Sequence, residues 1–160
     1  MRAGLERLAP LFVYPDERYK ALALAAPELA AAIEGYSTEK IQELFVGTFD
    51  MNPDGAPDIG WHLYGENYDR GEFLVKLRGE MRRYGIPEST ELPDHLSHVL
   101  PLVARMPEPE AGEFAKSHLL PALEKMLASL EGKQNPFEKL LRTVKALAET
   151  ALPVAAGRES

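Results

Sequence analysis

The sequence has four histidines, His62, His95, His98 and His118, the side chains best suited to proton transfer or metal ligation near neutral pH. His95 and His98 are three apart and can share a helix face, with Asp94 adjacent. A metal site needs three or four convergent ligands. Two spaced histidines and one carboxylate, with no fourth group, predict no metal site. Asp94-His95 could also form an acid–base pair, but neighbours on a helix point about 100° apart. The expectation is therefore structural. Asp94 caps a helix N-terminus, where exposed amides favour a carboxylate, and His95 is partly buried and hydrogen-bonded. There is no Gly-rich phosphate loop, GxSxG or HExxH pattern, so no catalytic residue is assigned. The chain contains no cysteine, which excludes disulfides, thiolate zinc, iron–sulfur ligation and cysteine nucleophiles. No cofactor is expected, and any redox centre must belong to a partner.

Aromatic residues form the other conspicuous group. Phe45 and Phe49 lie on a helical stripe and read as core. Trp61, His62 and Tyr64 follow a polar loop and are bracketed by Gly60 and Gly65. Core and recognition groove are both open for them, because amphipathic aromatics serve either role.

Charge narrows the partner class. The net charge is −7, which disfavours nucleic acid. Residues 1–80 carry a balance of −6 and residues 81–160 a balance of −1. Between positions 43 and 72 stand Glu43, Asp50, Asp54, Asp58, Glu66, Asp69 and Glu72, with Arg70 the only base. These carboxylates are either a solvated surface or a field that attracts a basic peptide.

The elements that must position these groups read as helices. Leu5, Leu8, Leu11 and Phe12 keep helical spacing. Tyr14-Pro15-Asp16 breaks that helix and can start another, which runs Ala-rich to Gly35 and divides at Pro27. Ser37 or Thr38 can cap a helix carrying Ile41, Leu44, Phe45 and Phe49. A polar loop over 50–57 leads to a short helix or turn ending at Gly65. A longer helix over 69–84 stops at Gly85, and Pro93 or Asp94 opens the next. A helix over 111–130 is expected to kink near Pro121, and Asn135-Pro136 starts the last. No segment alternates long enough for a strand. The prediction is one all-α, compact multi-helix domain over 1–160, with its core at about 5–150 and a frayed tail over 153–160. No apolar run is long enough to span a bilayer, and Glu6 and Arg7 interrupt any signal-peptide core, so the expected location is the cytoplasm.

Three blocks carry a family resemblance: Glu43-Leu44-Phe45-Val46-Gly47-Thr48-Phe49-Asp50; His62-Leu63-Tyr64-Gly65-Glu66 with Asp69-Arg70-Gly71; and Glu91-Leu92-Pro93-Asp94-His95-Leu96. With Leu11-Phe12-Val13-Tyr14-Pro15-Asp16, their order resembles the nitrate reductase delta-subunit chaperones, the NarJ type, within the wider TorD/DmsD group. The resemblance spans roughly residues 5–145. It implies a TorD-like helical fold that binds the N-terminal leader of a molybdopterin oxidoreductase catalytic subunit. Such a protein holds the apo client during cofactor insertion and performs no catalysis. The wider group's Glu-Pro-x-Asp-His pattern is matched at Glu91, Asp94 and His95, with proline displaced to Pro93. The implied leader-binding residues are Tyr14, Trp61, Leu63, Tyr64, Glu91, Pro93, Asp94 and His95. The implied partner excludes nucleic acid and membrane insertion, and the chain is expected to be a monomer or weak homodimer. Rival readings are a generic helical adaptor, a small metal-dependent hydrolase and a nucleotide-binding regulator.

Overall fold

A computed structural model describes residues 2–152; the tail expected over 153–160 lies outside the described residues. Among those residues the secondary structure is helical, and the only β feature is an isolated antiparallel bridge between Asp58 and His95.

The first helix, α1 (Gly4–Leu8), tightens into a 3₁₀ turn over Ala9–Phe12, where Pro10 enters. The next helix starts later than Pro15. Asp16 accepts the Arg18 amide on its side chain and the Tyr19 amide on its carbonyl, and this turn delays α2 to Tyr19–Leu22. Pro27 then opens α3 (Pro27–Ala32), dividing the Ala-rich stretch as expected. Ser37 caps α4 (Thr38–Phe45) by accepting the Lys40 amide. That helix widens into a π turn over Val46–Asp50, where Thr48 Oγ1 donates to the Leu44 carbonyl.

Helix α5 (Ile59–Tyr64) ends at Gly65, whose φ of 66° is a left-handed conformation suited to glycine. Asn67 caps α6 (Tyr68–Arg83), and Gly85, at φ 72°, closes it while the Ile86 amide returns to the Met81 carbonyl. Helix α7 (Leu96–Arg105) follows, then α8 (Glu108–Phe114), which passes through a second π turn over Ala115–Leu119 into α9 (Leu120–Leu130). The widened turn stands immediately before Pro121, where the expected kink falls. It makes room for a residue that lacks an amide hydrogen. Helix α10 (Phe137–Glu149) completes the domain.

The core joins α1 to α7 and α10 to α9, with α5 laid on α9. At its centre Phe45, Phe49 and Phe137 meet edge-on, with centroids 4.9 Å and 5.1 Å apart in sequence. Each buried aromatic contributes about 1.5–3 kcal/mol by leaving water. That packing holds α4 against α10 and fixes the loop between α4 and α5.

Candidate functional site

Asp94 is fully buried, and the residues around it tie three segments together. Its carboxylate accepts two bonds from the Arg70 guanidinium, Nε to Oδ2 at 3.0 Å and Nη2 to Oδ1 at 3.1 Å, and a third from the Gly60 amide at 3.0 Å. Arg70 is itself only 18% exposed along its side chain. The bidentate fork is the geometry in which an Arg–carboxylate pair recovers the cost of leaving water. Beside it, the Ile59 amide donates to the Asp94 carbonyl and the Leu96 amide to the Pro57 carbonyl, forming the Asp58–His95 bridge. Gly60 has to be glycine here, because a Cβ would stand 2.4 Å from Asp94 Oδ2 and 3.0 Å from Phe73.

Asp94 therefore does not cap α7, contrary to the sequence expectation. Its acceptors are spent on α5 and α6. The cap is His95, whose Nδ1 accepts the Ser97 amide at 3.1 Å. In the neutral ring this leaves the proton on Nε2, which faces Glu91 Oε1 at 3.9 Å. Burial is the main influence on His95 and lowers its pKa, with Glu91 acting in the opposite sense. His98 is likewise used structurally, with Nδ1 at 2.8 Å from the Leu92 carbonyl and Nε2 at 2.9 Å from Ser89 Oγ. It pins the connection between α6 and α7. Among the described residues no three His, Asp or Glu groups converge to hold a metal.

The acidic window separates in space. Asp58, expected to be exposed, is half-buried, and its pKa rises to about 6, chiefly through burial and then through Asp94, with Glu91 and Asp50 adding to it. Burial and then Glu91 also raise Asp50. Asp50 and Glu91 thus both act on Asp58, and Glu91 also stands by His95; the exposed apolar side chains of Met51 and Leu92 are next in sequence to Asp50 and Glu91. Asp54 lies by Trp61, while Asp69 and Glu72 lie by Tyr64. Glu43 and Glu66 are exposed elsewhere.

The aromatic candidates also part company. Trp61 Nε1 donates to the Pro53 carbonyl at 3.0 Å, and His62 Nε2 meets the Ala56 carbonyl at 2.7 Å. Both fasten the polar loop, and both line a shallow hollow of about 480 Å³ facing Lys125 and Ala128 on α9. Tyr64 faces the other way, its ring 5.4 Å from Phe73. Leu63 packs against the core, Pro93 is buried, and Glu91 is exposed. Tyr14, 55% exposed, stands edge-on to Phe45 at 6.3 Å. Nothing local in the sequence singles out Gly60, whereas Arg70 stands out as the lone base in an acidic window.

The family described as nitrate reductase delta subunit matches residues 16–141, most of the chain and all three motif blocks. The chain belongs to that family. Two Escherichia coli strains each have a relative named nitrate reductase molybdenum cofactor assembly chaperone NarJ, 35% identical over 92 residues. That match covers 57% of this chain but 39% of the relative, so the chain spans well under half the length of those curated proteins. A Bacillus subtilis relative, also named as such a chaperone, is 26% identical over 162 residues, covering 89% of this chain and 86% of its own length. A redox enzyme maturation protein from Archaeoglobus fulgidus shares the fold at a TM-score of 0.67 and 21% identity, covering 93% of this chain and 94% of that one. These relatives are named as chaperones or maturation proteins, not as enzymes. Among the described residues of this delta-subunit family member, no helix is long and apolar enough to cross a membrane.

Proposed function

We propose that this chain is a dedicated assembly chaperone for a molybdenum oxidoreductase, nitrate reductase or a related enzyme. It binds the N-terminal leader of the apo catalytic subunit in the cytoplasm while the cofactor is inserted. The observation that carries this reading is the family match across residues 16–141. The site's chemistry supports it. Asp94 and Pro93 are buried and hold the framework, whereas Glu91 is exposed at the rim of a carboxylate cluster. A basic amphipathic leader would set its Lys or Arg groups near Asp50, Asp58 and Glu91. Its apolar face would meet apolar side chains of the set Tyr14, Trp61, Leu63 and Tyr64. The chaperone would need no cofactor of its own and would act as a monomer or weak homodimer.

Calorimetry tests this directly. The chain should bind a synthetic peptide of the client's first residues and ignore a scrambled peptide of equal composition. Equal affinity for both would make the chain a generic adaptor, and no binding to either would remove the leader from the mechanism.

A further inference from the structure

Helix α6 buries Phe73, Leu77 and Met81, and helical spacing puts Tyr68, Gly71, Val75, Gly79 and Arg82 on its opposite face. That outer face carries apolar surface that the described residues leave uncovered. Tyr68 is 79% exposed and Val75 is 69% exposed. Its two glycines answer to nothing within the fold. Neither has a positive φ, and a Cβ added at either would meet no atom of the described residues within 4 Å. Glycine inside a helix costs about 0.5–1 kcal/mol relative to alanine. A second backbone brought close to this face gives that cost a use.

The face is also matched to itself about Val75. Gly71 and Gly79 lie four residues to either side of it, and Tyr68 and Arg82 lie seven. Charge is opposite at the two ends, with Asp69 and Glu72 toward the N-terminus and Arg82 and Arg83 toward the C-terminus, all four exposed. Asp69, Glu72 and Arg82 form no ion pair among the described residues. Arg83 is held only loosely, 3.8 Å from Glu80 and 3.9 Å from Glu110. A two-fold axis at Val75 would run a second α6 antiparallel to the first. Seven residues of helix span about 10.5 Å, so each Tyr68 would come level with the other copy's Arg82. Each acidic end would meet the other copy's basic end. Parallel pairing would instead bring like charges together.

We propose that this chain pairs with a second copy of itself through the outer face of α6, antiparallel, with Val75 on the two-fold axis. The glycines admit the close approach, the Tyr68 ring lies against the other copy's Arg82, and carboxylates face guanidiniums at both ends. One helix from each copy makes a small interface, so the association is weak and depends on concentration. This pairing goes beyond the proposed function, because it holds whether or not a leader is bound.

The absence of cysteine makes the pairing testable by cross-linking the full chain. Under mild oxidation Val75→Cys, which meets itself on the axis, should form a disulfide-linked dimer about tenfold faster than Lys139→Cys, an exposed position on α10. Tyr68→Cys should be as slow as Lys139→Cys, because its two copies would lie about 21 Å apart. Charge is then tested in the Val75→Cys background. Arg82→Glu with Arg83→Gln makes both ends acidic, and Asp69→Asn with Glu72→Lys makes both ends basic. Each form alone should link about tenfold more slowly than Val75→Cys, and an equimolar mixture of the two should recover the rate. Thermal melts accompany the charge variants, and if either does not fold, Val75→Cys and Tyr68→Cys still decide. Val75→Cys that links no faster than Lys139→Cys overturns the pairing. Tyr68→Cys that links as fast as Val75→Cys, or a mixture no faster than its separate components, overturns the antiparallel match. A fluorophore on Val75→Cys that responds to a synthetic leader peptide but not to protein concentration gives the face to the client and overturns the pairing, while the proposed function stands.

Discussion

Replacing Arg70 by alanine would leave the Asp94 carboxylate buried with only the Gly60 amide to answer it. An uncompensated buried charge is among the costliest single changes, so Arg70→Ala should lose about 3 kcal/mol. In a domain of this size that lowers the melting temperature by roughly 6–12 °C. Arg70→Lys keeps the charge without the fork and should fall between. Melting curves that coincide with wild type would mean the pair is open in solution. Asp58 gives a prediction in pH. Its folded pKa, about 6, lies above its ordinary value of 3.8, so the folded state holds this proton more tightly. Stability from this group is therefore present at low pH and lost as pH rises from about 4 to about 6. Asp58→Asn should remove that loss and stabilise the protein above pH 6 by about 1–2 kcal/mol, allowing for solvent screening. Asp58 begins α5 without a side-chain cap bond, so asparagine costs no capping there. A variant whose stability difference from wild type stays flat between pH 4 and pH 7 would disprove the assignment. His95→Ala differs again. It removes the α7 cap and should cost about 1 kcal/mol of stability, whereas Tyr64→Ala should mainly weaken leader binding, by about 1–3 kcal/mol.

Among the elements, the start of α10 is the most exposed to a single change. Asn135 accepts the Phe137 amide at 2.8 Å and donates to Thr48 Oγ1 at 2.7 Å, joining the last helix to the π turn of α4. Asn135→Ala should cost about 1–2 kcal/mol in thermal melts. Asn135→Asp keeps the acceptor but not the donor and should cost about half as much, and an Asn135→Asp variant that melts like wild type would show the Thr48 bond to be idle. The cap half of this arrangement was legible in the sequence, since Asn-Pro before an apolar stripe is a helix start. The Thr48 half was not, because 87 residues separate the partners. The same division runs through the site. Helix boundaries at Ser37, Gly65 and Gly85 follow from local chemistry, and the all-helical class follows from apolar spacing. Asp94 was misread as a cap because its real partners, Gly60 and Arg70, are 34 and 24 residues away. Local rules favour a carboxylate at a helix start and cannot see a guanidinium delivered by another helix. Trp61 and Tyr64 looked like one aromatic group for a similar reason. Residues three apart lie close on a helix, yet in a short helix laid between two others they reach different neighbours.

For the whole molecule, the −7 charge is not spread evenly, and this separates local steering from general attraction. Asp50 and Glu91 both raise the pKa of Asp58, and Asp69, Glu72, Glu80, Glu110 and Glu113 line the hollows beside α6. At 0.15 M salt a charge is felt over only about 8 Å, so an approaching basic peptide senses these clusters, not the net charge. The Asp50→Lys, Glu91→Lys pair changes the balance by four charges at one cluster. The Glu28→Lys, Glu34→Lys pair changes it equally on exposed positions around α3. Stopped-flow association with a basic leader peptide should be slowed about tenfold by the first pair and little by the second. The first pair should also flatten the dependence of the rate on salt, while dissociation changes less, because apolar contact sets residence time. Should both pairs slow association alike, the attraction belongs to the molecule's overall charge, and Asp50 and Glu91 do no more than keep the protein in solution.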